Sequence, residues 1–179
     1  MRNADLVVCT GAELEVGWLP VLMQQSGNAK VQPGQPGFFE AARNVRLQEI
    51  PGSVDRSQGD VHAAGNPHIQ TDPRNIALVA TALAARLQQL DGGNASAYAD
   101  RGKDFQQRWQ QAMARWTTKA APLKGIAVVS QHKAFSYLYD WLGIKEVAVL
   151  EPKPGVEPSV SHLQQVLASL KAQPARMAI

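Results

Sequence analysis

The sequence predicts an α/β protein made of two parallel-sheet lobes joined by a long rigid helix and incomplete at both termini. Three observations carry that expectation. After Pro122 the chain alternates strand, helix, strand, helix, strand, as IAVVS, KAFSYLYDWLG, EVAVL, SHLQQVLASLKA and ARMAI. Regular alternation with short connections implies parallel strands joined by right-handed crossovers, a doubly wound arrangement. Ahead of it lies one helical pattern of about 25 residues, longer than the usual globular helix. The part before that helix offers only two convincing strands, and ARMAI is followed by no covering element; two-stranded sheets make poor independent domains.

In chain order, DLVVC is a short β-branched run that predicts a buried strand, and Thr10-Gly11 turns it into a helix from about Ala12. Leu14, Trp18 and Leu22 give that helix its expected apolar stripe, with Pro20 kinking or restarting it. SGNAKVQPGQPG is turn-rich, and Val45 to Glu49 alternates like a second strand. From Pro51 to Pro67 no apolar period exists, and loops of that length often carry function. Asp72-Pro73 reads as a cap followed by proline in the first helical turn. Ile76, Val79, Ala80, Leu83, Leu87 and Leu90 then keep helical spacing until Gly92-Gly93. Asn94 is the expected cap of the long helix, whose Tyr98, Phe105, Trp109, Met113 and Trp116 line one packing stripe. The resulting division is residues 1–93 for one lobe, 94–121 for the strut and 122–179 for the other.

With 45% hydrophobic and 18% charged residues, the composition is that of a globular chain. A formal charge of +3 comes from scattered lysines and arginines, without basic runs interleaved with aromatics, so nucleic acid is not an expected partner. One cysteine, Cys9, excludes an internal disulfide and reads as a buried structural thiol. No apolar run spans a bilayer, and MRNADLVV lacks the basic region, apolar core and cleavage site of an export signal. Phosphate loops, dinucleotide fingerprints and nucleophile elbows are absent from the sequence.

Four histidines remain. His162, in the first turn of the last helix beside Ser161 and Gln164, reads as a capping-box neighbour facing solvent. His132 follows a parallel strand by two residues, at the sheet edge where open α/β folds bind ligands. His68 stands four residues ahead of the Asp72 cap. Each alone fits a hydrogen-bonded turn residue as well as a ligand. Together they could converge between the lobes on a zinc ion, which takes four ligands, so they amount to half a site. His62 and Asp60 are looser candidates in the preceding loop.

GNPHIQTDPRN with its helix, the long strut and VVSQHKAFSYLYDWLGI resemble the periplasmic substrate-binding proteins of zinc and manganese ABC transporters, of the cluster A-I type. ADLVVCTGAELEVGWLPVL is similar to the segment that follows that family's first ligand histidine. The resemblance implies a periplasmic, non-enzymatic protein that captures a metal ion between two lobes and delivers it to a membrane permease. It implies His68 and His132 as metal ligands, with the family's first ligand expected before Met1 and its last after Ile179. An imidazole at His132 favours Zn²⁺ over Mn²⁺. The family's histidine-rich loop is reduced here to Asp60-Val61-His62. Uncovered sheet edges predict pairing between copies of the chain. Two other functions stay open on these residues: an adhesin-like interaction module on the same fold, and a zinc hydrolase using His62, His68 and His132.

Overall fold

The computed structural model describes residues 1–52 and 62–179 and arranges their strands in two parallel sheets. β1 (Val7–Cys9) pairs with β2 (Phe38–Glu40), setting Val7 opposite Phe38 and Cys9 opposite Glu40. Between them, α1 (Leu19–Ser26) and the 3-10 turn Ala29–Val31 bring Leu19, Met23 and Val31 into one buried cluster, on which Val7, Cys9 and Phe38 pack.

The first helix differs from expectation in both start and face. Ala12 and Glu13 adopt positive φ (48° and 65°), and the Glu15 carboxylate gathers the Thr10 and Gly11 N–H groups at 2.7 and 3.0 Å. The chain therefore turns here, and α1 starts only at Leu19 with Pro20 in its first turn, where the missing N–H costs nothing. Leu19 and Met23 face the core, whereas Leu14, Trp18 and Leu22 are exposed.

The second strand also lies elsewhere than expected. Val45 to Glu49 alternates because Val45 and Leu47 pack against a second buried cluster of Ala42, Ile69 and Tyr137. Its backbone, however, does not join a ladder: the Gln48 N–H donates to the Tyr137 hydroxyl at 3.0 Å, and the Gln48 carbonyl accepts from the Asn66 N–H at 2.8 Å. Gly65 allows this close approach, since a Cβ there would sit 2.8 Å from the Gln48 oxygen on a backbone with φ of 115°.

α2 (Pro73–Leu90) begins as the sequence predicts, with the Asp72 carboxylate accepting from the Arg74 N–H at 2.8 Å. The Arg74 guanidinium closes on Asp72 and reaches Asp140 at 2.7 Å. After the turn Gly92–Asn94, α3 runs over Ala95–Ala120, about 39 Å at 1.5 Å per residue. Asn94 holds the cap position as expected, but its side chain makes no capping bond; its amide donates to Asp91 at 2.9 Å instead. The expected stripe packs, with Phe105 stacked on Trp109, Trp109 edge-on to Trp116, and the Trp109 indole N–H donating to the Pro73 carbonyl at 2.8 Å. Gly102 lets α3 come close to α2 at Ala84, whose Cβ would lie 3.1 Å from an added Cβ.

β3 (Ala127–Ser130) is buried throughout and lies between β4 (Lys145–Val149) and β5 (Met177–Ala178), both parallel to it. α4 (Ser136–Leu142) leads from β3 to β4, and α5 (Val160–Ala172) crosses back to β5. With right-handed crossovers, this reversal of direction places α4 and α5 on opposite faces. Ser159, not Ser161, caps α5, accepting from the His162 N–H. His162 is not a solvent-facing residue, because its Nε2 meets the Val149 carbonyl at 3.0 Å and fastens α5 to the end of β4. Among the described residues no helix is long and apolar enough to cross a membrane.

Tyr137, only 1% exposed, joins the two halves: its hydroxyl accepts from Gln48 and donates to the Asn66 carbonyl at 2.6 Å. Tyr137→Phe keeps the ring but leaves both backbone groups unpaired. It is expected to lower unfolding free energy by about 1–3 kcal/mol, read from the midpoint of urea denaturation. An unchanged midpoint would show that water replaces the hydroxyl without loss.

Candidate metal centre

The structure brings His68 and His132 together. His68 precedes the 3-10 turn Ile69–Thr71 that leads into α2, and its carbonyl accepts from the Thr71 hydroxyl at 2.9 Å. His132 lies two residues past β3, on the carboxyl edge where the strand order reverses. Their ring centres are 5.3 Å apart, with planes at 73°. Both line a cleft of about 530 Å³, together with Glu49, His62, Asn66 and Lys133.

Each imidazole has its Nδ1 engaged by an oxygen. His68 Nδ1 lies 2.8 Å from Asn66 Oδ1, and His132 Nδ1 contacts Glu151 Oε2. An amide oxygen only accepts, as does an ionised carboxylate, so in a neutral ring so engaged the proton sits on Nδ1 and Nε2 keeps the lone pair. Metal-binding histidines are supported in this way, with the second nitrogen held by a carboxylate or carbonyl. Two imidazoles on one tetrahedral zinc at about 2.0–2.1 Å would have ring centres about 5.2 Å apart, allowing roughly 1.15 Å from nitrogen to ring centre. The observed 5.3 Å is close to that distance, and it also lies within the range of an ordinary edge-on ring pair.

Electrostatics favour the neutral, ligating form of His68. Burial lowers its pKa, the nearby His132 and His62 rings lower it further, and only Glu49 opposes them. Glu49 has the opposite balance: burial would raise its pKa, but bonds from Asn66, Lys133 and Ser136 outweigh that and hold it below the usual carboxylate range. Its backbone sits at a positive φ of 53°, and its carboxylate holds all three bonds. Engaged in this way, Glu49 is a strut between loops and not a free general base.

Sequence reasoning named His68 and His132 but missed Asn66, Glu49 and Glu151. Glu151 did carry a signal, because it stands two residues past the carboxyl end of β4, the same offset that singles out His132 beyond β3. His62 lines the cleft, while Asp60 falls outside the described residues. Among the described residues no group of three or more His, Cys, Asp or Glu side chains is disposed to hold a metal ion.

The zinc-uptake complex component A family, periplasmic and abbreviated ZnuA, matches the chain over residues 1–179. The chain belongs to this family. The family description is that of an uptake component, not an enzyme. The high-affinity zinc uptake system protein ZnuA of Bacillus subtilis (strain 168) is 24% identical over 172 residues, covering 93% of this chain and 51% of that protein. The zinc-binding lipoprotein AdcA of Streptococcus pneumoniae (strain ATCC BAA-255 / R6) is 25% identical over 182 residues, covering 96% and 34%. The chain thus spans about half the length of the first and a third of the second. A crystal structure of ZnuA superposes with a TM-score of 0.72 at 20% identity, covering 96% of this chain and 60% of that one. A mutant of the laminin-binding adhesin Lmb from Streptococcus agalactiae gives 0.70 at 25% identity, covering 99% and 62%. The parallel sheets and long helix of the present chain are the fold of these proteins.

Cys9, a soft donor in principle, is no part of the cleft. It packs in the first apolar cluster with its thiol toward the Phe39 carbonyl, and burial together with Glu15 and Glu40 pushes its pKa up to about 11. At pH 8 its reaction with a chromogenic disulfide is expected to run about a hundredfold slower than that of a free cysteine of pKa ~8.5. A rate equal to the free thiol would contradict the described packing.

Proposed function

We propose that this chain is the ion-capturing part of a periplasmic zinc-uptake protein, which takes Zn²⁺ on Nε2 of His68 and His132 and passes it to an ABC permease in the membrane. The observation that supports the reading is the pairing of two imidazoles, each with its Nδ1 occupied, at a ring separation compatible with one tetrahedral zinc. In this reading residues 1–93 and 122–179 are two lobes that contribute one histidine each, and 94–121 is the strut between them. Two neutral imidazoles suit borderline-soft Zn²⁺ better than Mn²⁺, which prefers carboxylate and water oxygen. Two coordination positions are left for water or for donors beyond the described residues. No bond is made or broken by the protein; its chemistry is selection and release.

Calorimetric zinc titration tests the assignment. His68→Ala or His132→Ala should weaken binding by more than the roughly 10–100-fold typical of losing a group behind a ligand. Unchanged affinity in both variants would overturn the reading.

Acid should compete with the metal. A protonated imidazole cannot ligate, so affinity is expected to hold between pH 8 and about 7 and to fall below about pH 6–6.5. The lowered pKa of His68 sets the sign and the side of the window, because its proton binds only on the acid side of the ordinary imidazole range. Affinity that stays flat down to pH 5 would exclude an imidazole-based site.

A further inference from the structure

The residue that occupies most hydrogen-bonding groups around the cleft is Asn66, which is 8% exposed. Its Nδ2 donates to the Lys133 carbonyl and to Glu49 Oε2, both at 2.8 Å. Neither partner can donate, the first being a backbone carbonyl and the second a carboxylate held ionised by its other bonds. The orientation of the amide is therefore settled by its partners: Oδ1 must face His68, where it accepts from the backbone N–H at 2.9 Å and from Nδ1 at 2.8 Å. The backbone of Asn66 is tied as well, its N–H to Gln48 and its carbonyl to the Tyr137 hydroxyl. Every donor of the residue and both lone pairs of Oδ1 are used, and the fully buried Pro67 fixes the step from Asn66 to His68.

We propose that Asn66 is a positioning residue with two separable tasks: its carbonyl sets the tautomer of His68, and its NH₂ group locks the His68 loop to the segment that carries His132. The proposal rests on the zinc-binding reading only for its metal readout. The first task follows from the accept-only character of Oδ1, which places the proton on Nδ1 and frees Nε2. The second follows from the bond to Lys133, the immediate neighbour of His132, which closes a separation of 67 residues with one amide. Without it, the link between the His68 loop and that segment would rest on the Tyr137 hydroxyl and the bonds to Glu49.

Two substitutions separate the tasks. Asn66→Ala removes both, whereas Asn66→Asp keeps the size and the acceptor toward His68 but loses the donors and sets a carboxylate against the Lys133 carbonyl and Glu49. Long-range ¹H–¹⁵N correlation of the imidazole nitrogens in metal-free protein at pH 8 reads the tautomer directly. Competition with a chromophoric chelator reads zinc affinity, and thermal unfolding reports whether each variant is folded. The wild type should show His68 as the Nδ1–H form. Asn66→Ala should relax it to the mixed tautomers of free imidazole and lose about 10–100-fold in zinc affinity. Asn66→Asp should retain the Nδ1–H signature and, because loss of the lock to Lys133 outweighs the stronger donor that a carboxylate makes of His68, still bind zinc at least about tenfold more weakly; it also serves as the test if Asn66→Ala does not fold. An Nε2–H form in the wild type, an unaltered tautomer in folded Asn66→Ala, or wild-type affinity in Asn66→Asp would overturn the proposal. If the wild type binds no zinc, the functional reading fails, and the tautomer measurement still decides whether Asn66 positions His68.

Discussion

The geometry of the cleft depends on one constraint: a buried asparagine and a buried tyrosine must satisfy their polar groups in the same place. Tyr137 reaches from α4 into the cluster of Ala42 and Ile69, and once there its hydroxyl needs partners. It finds the Gln48 N–H and the Asn66 carbonyl, which belong to two different loops. Asn66, pinned through its backbone, then has to spend its side chain on whatever surrounds it, and that is His68 on one side and Lys133 and Glu49 on the other. Apolar packing brings the halves together, and polar satisfaction fixes their register.

The same logic explains why the histidines stand where they do. A side chain just beyond a parallel strand, or just before a helix, projects from rigid backbone into the region that the strand ends leave open. His132 and Glu151 occupy equivalent offsets past neighbouring strands, so the sheet itself sets their contact. His68 lacks a strand behind it. Its support is an asparagine turn closed by the bond from its own N–H to Asn66, followed by the Asp72 cap and the Arg74 bridge to Asp140 on α4. A loop position thereby acquires the definition of a framework position.

How much of this the sequence revealed follows from the range of each interaction. The β3 to β5 unit and the start of α2 were legible because their signals are local: alternation over a few residues, and a cap next to a proline. His68 and His132 were legible as candidates for the same reason. β2 was not, since Phe38–Glu40 is three residues long and shows no measurable period, while Val45 and Leu47 imitate a strand by facing a cluster. The buried face of α1 was misjudged because Ala12 and Glu13 take positive φ and delay the helix, which turns a different pair of residues inward. His162 was expected in solvent because a capping pattern says nothing about a ring that bonds a strand end 13 residues away. Asn66 was invisible as a positioning residue, its decisive partners lying 67 and 71 residues further on.

In the zinc-binding reading the two arms of the site are unequal, and the inequality comes from their supporting oxygens. An anionic carboxylate behind Nδ1–H raises the basicity of the imidazole more than a neutral amide does, because it stabilises the positive charge that a bound metal induces on the ring. His132, backed by Glu151, is the stronger donor. His68, backed by an amide, is the weaker donor, and burial shifts it toward its neutral form. An uptake component has to hold its ion against dilution and still give it up. A carboxylate-backed arm set by the sheet and an amide-backed arm set by a loop would share that task unequally.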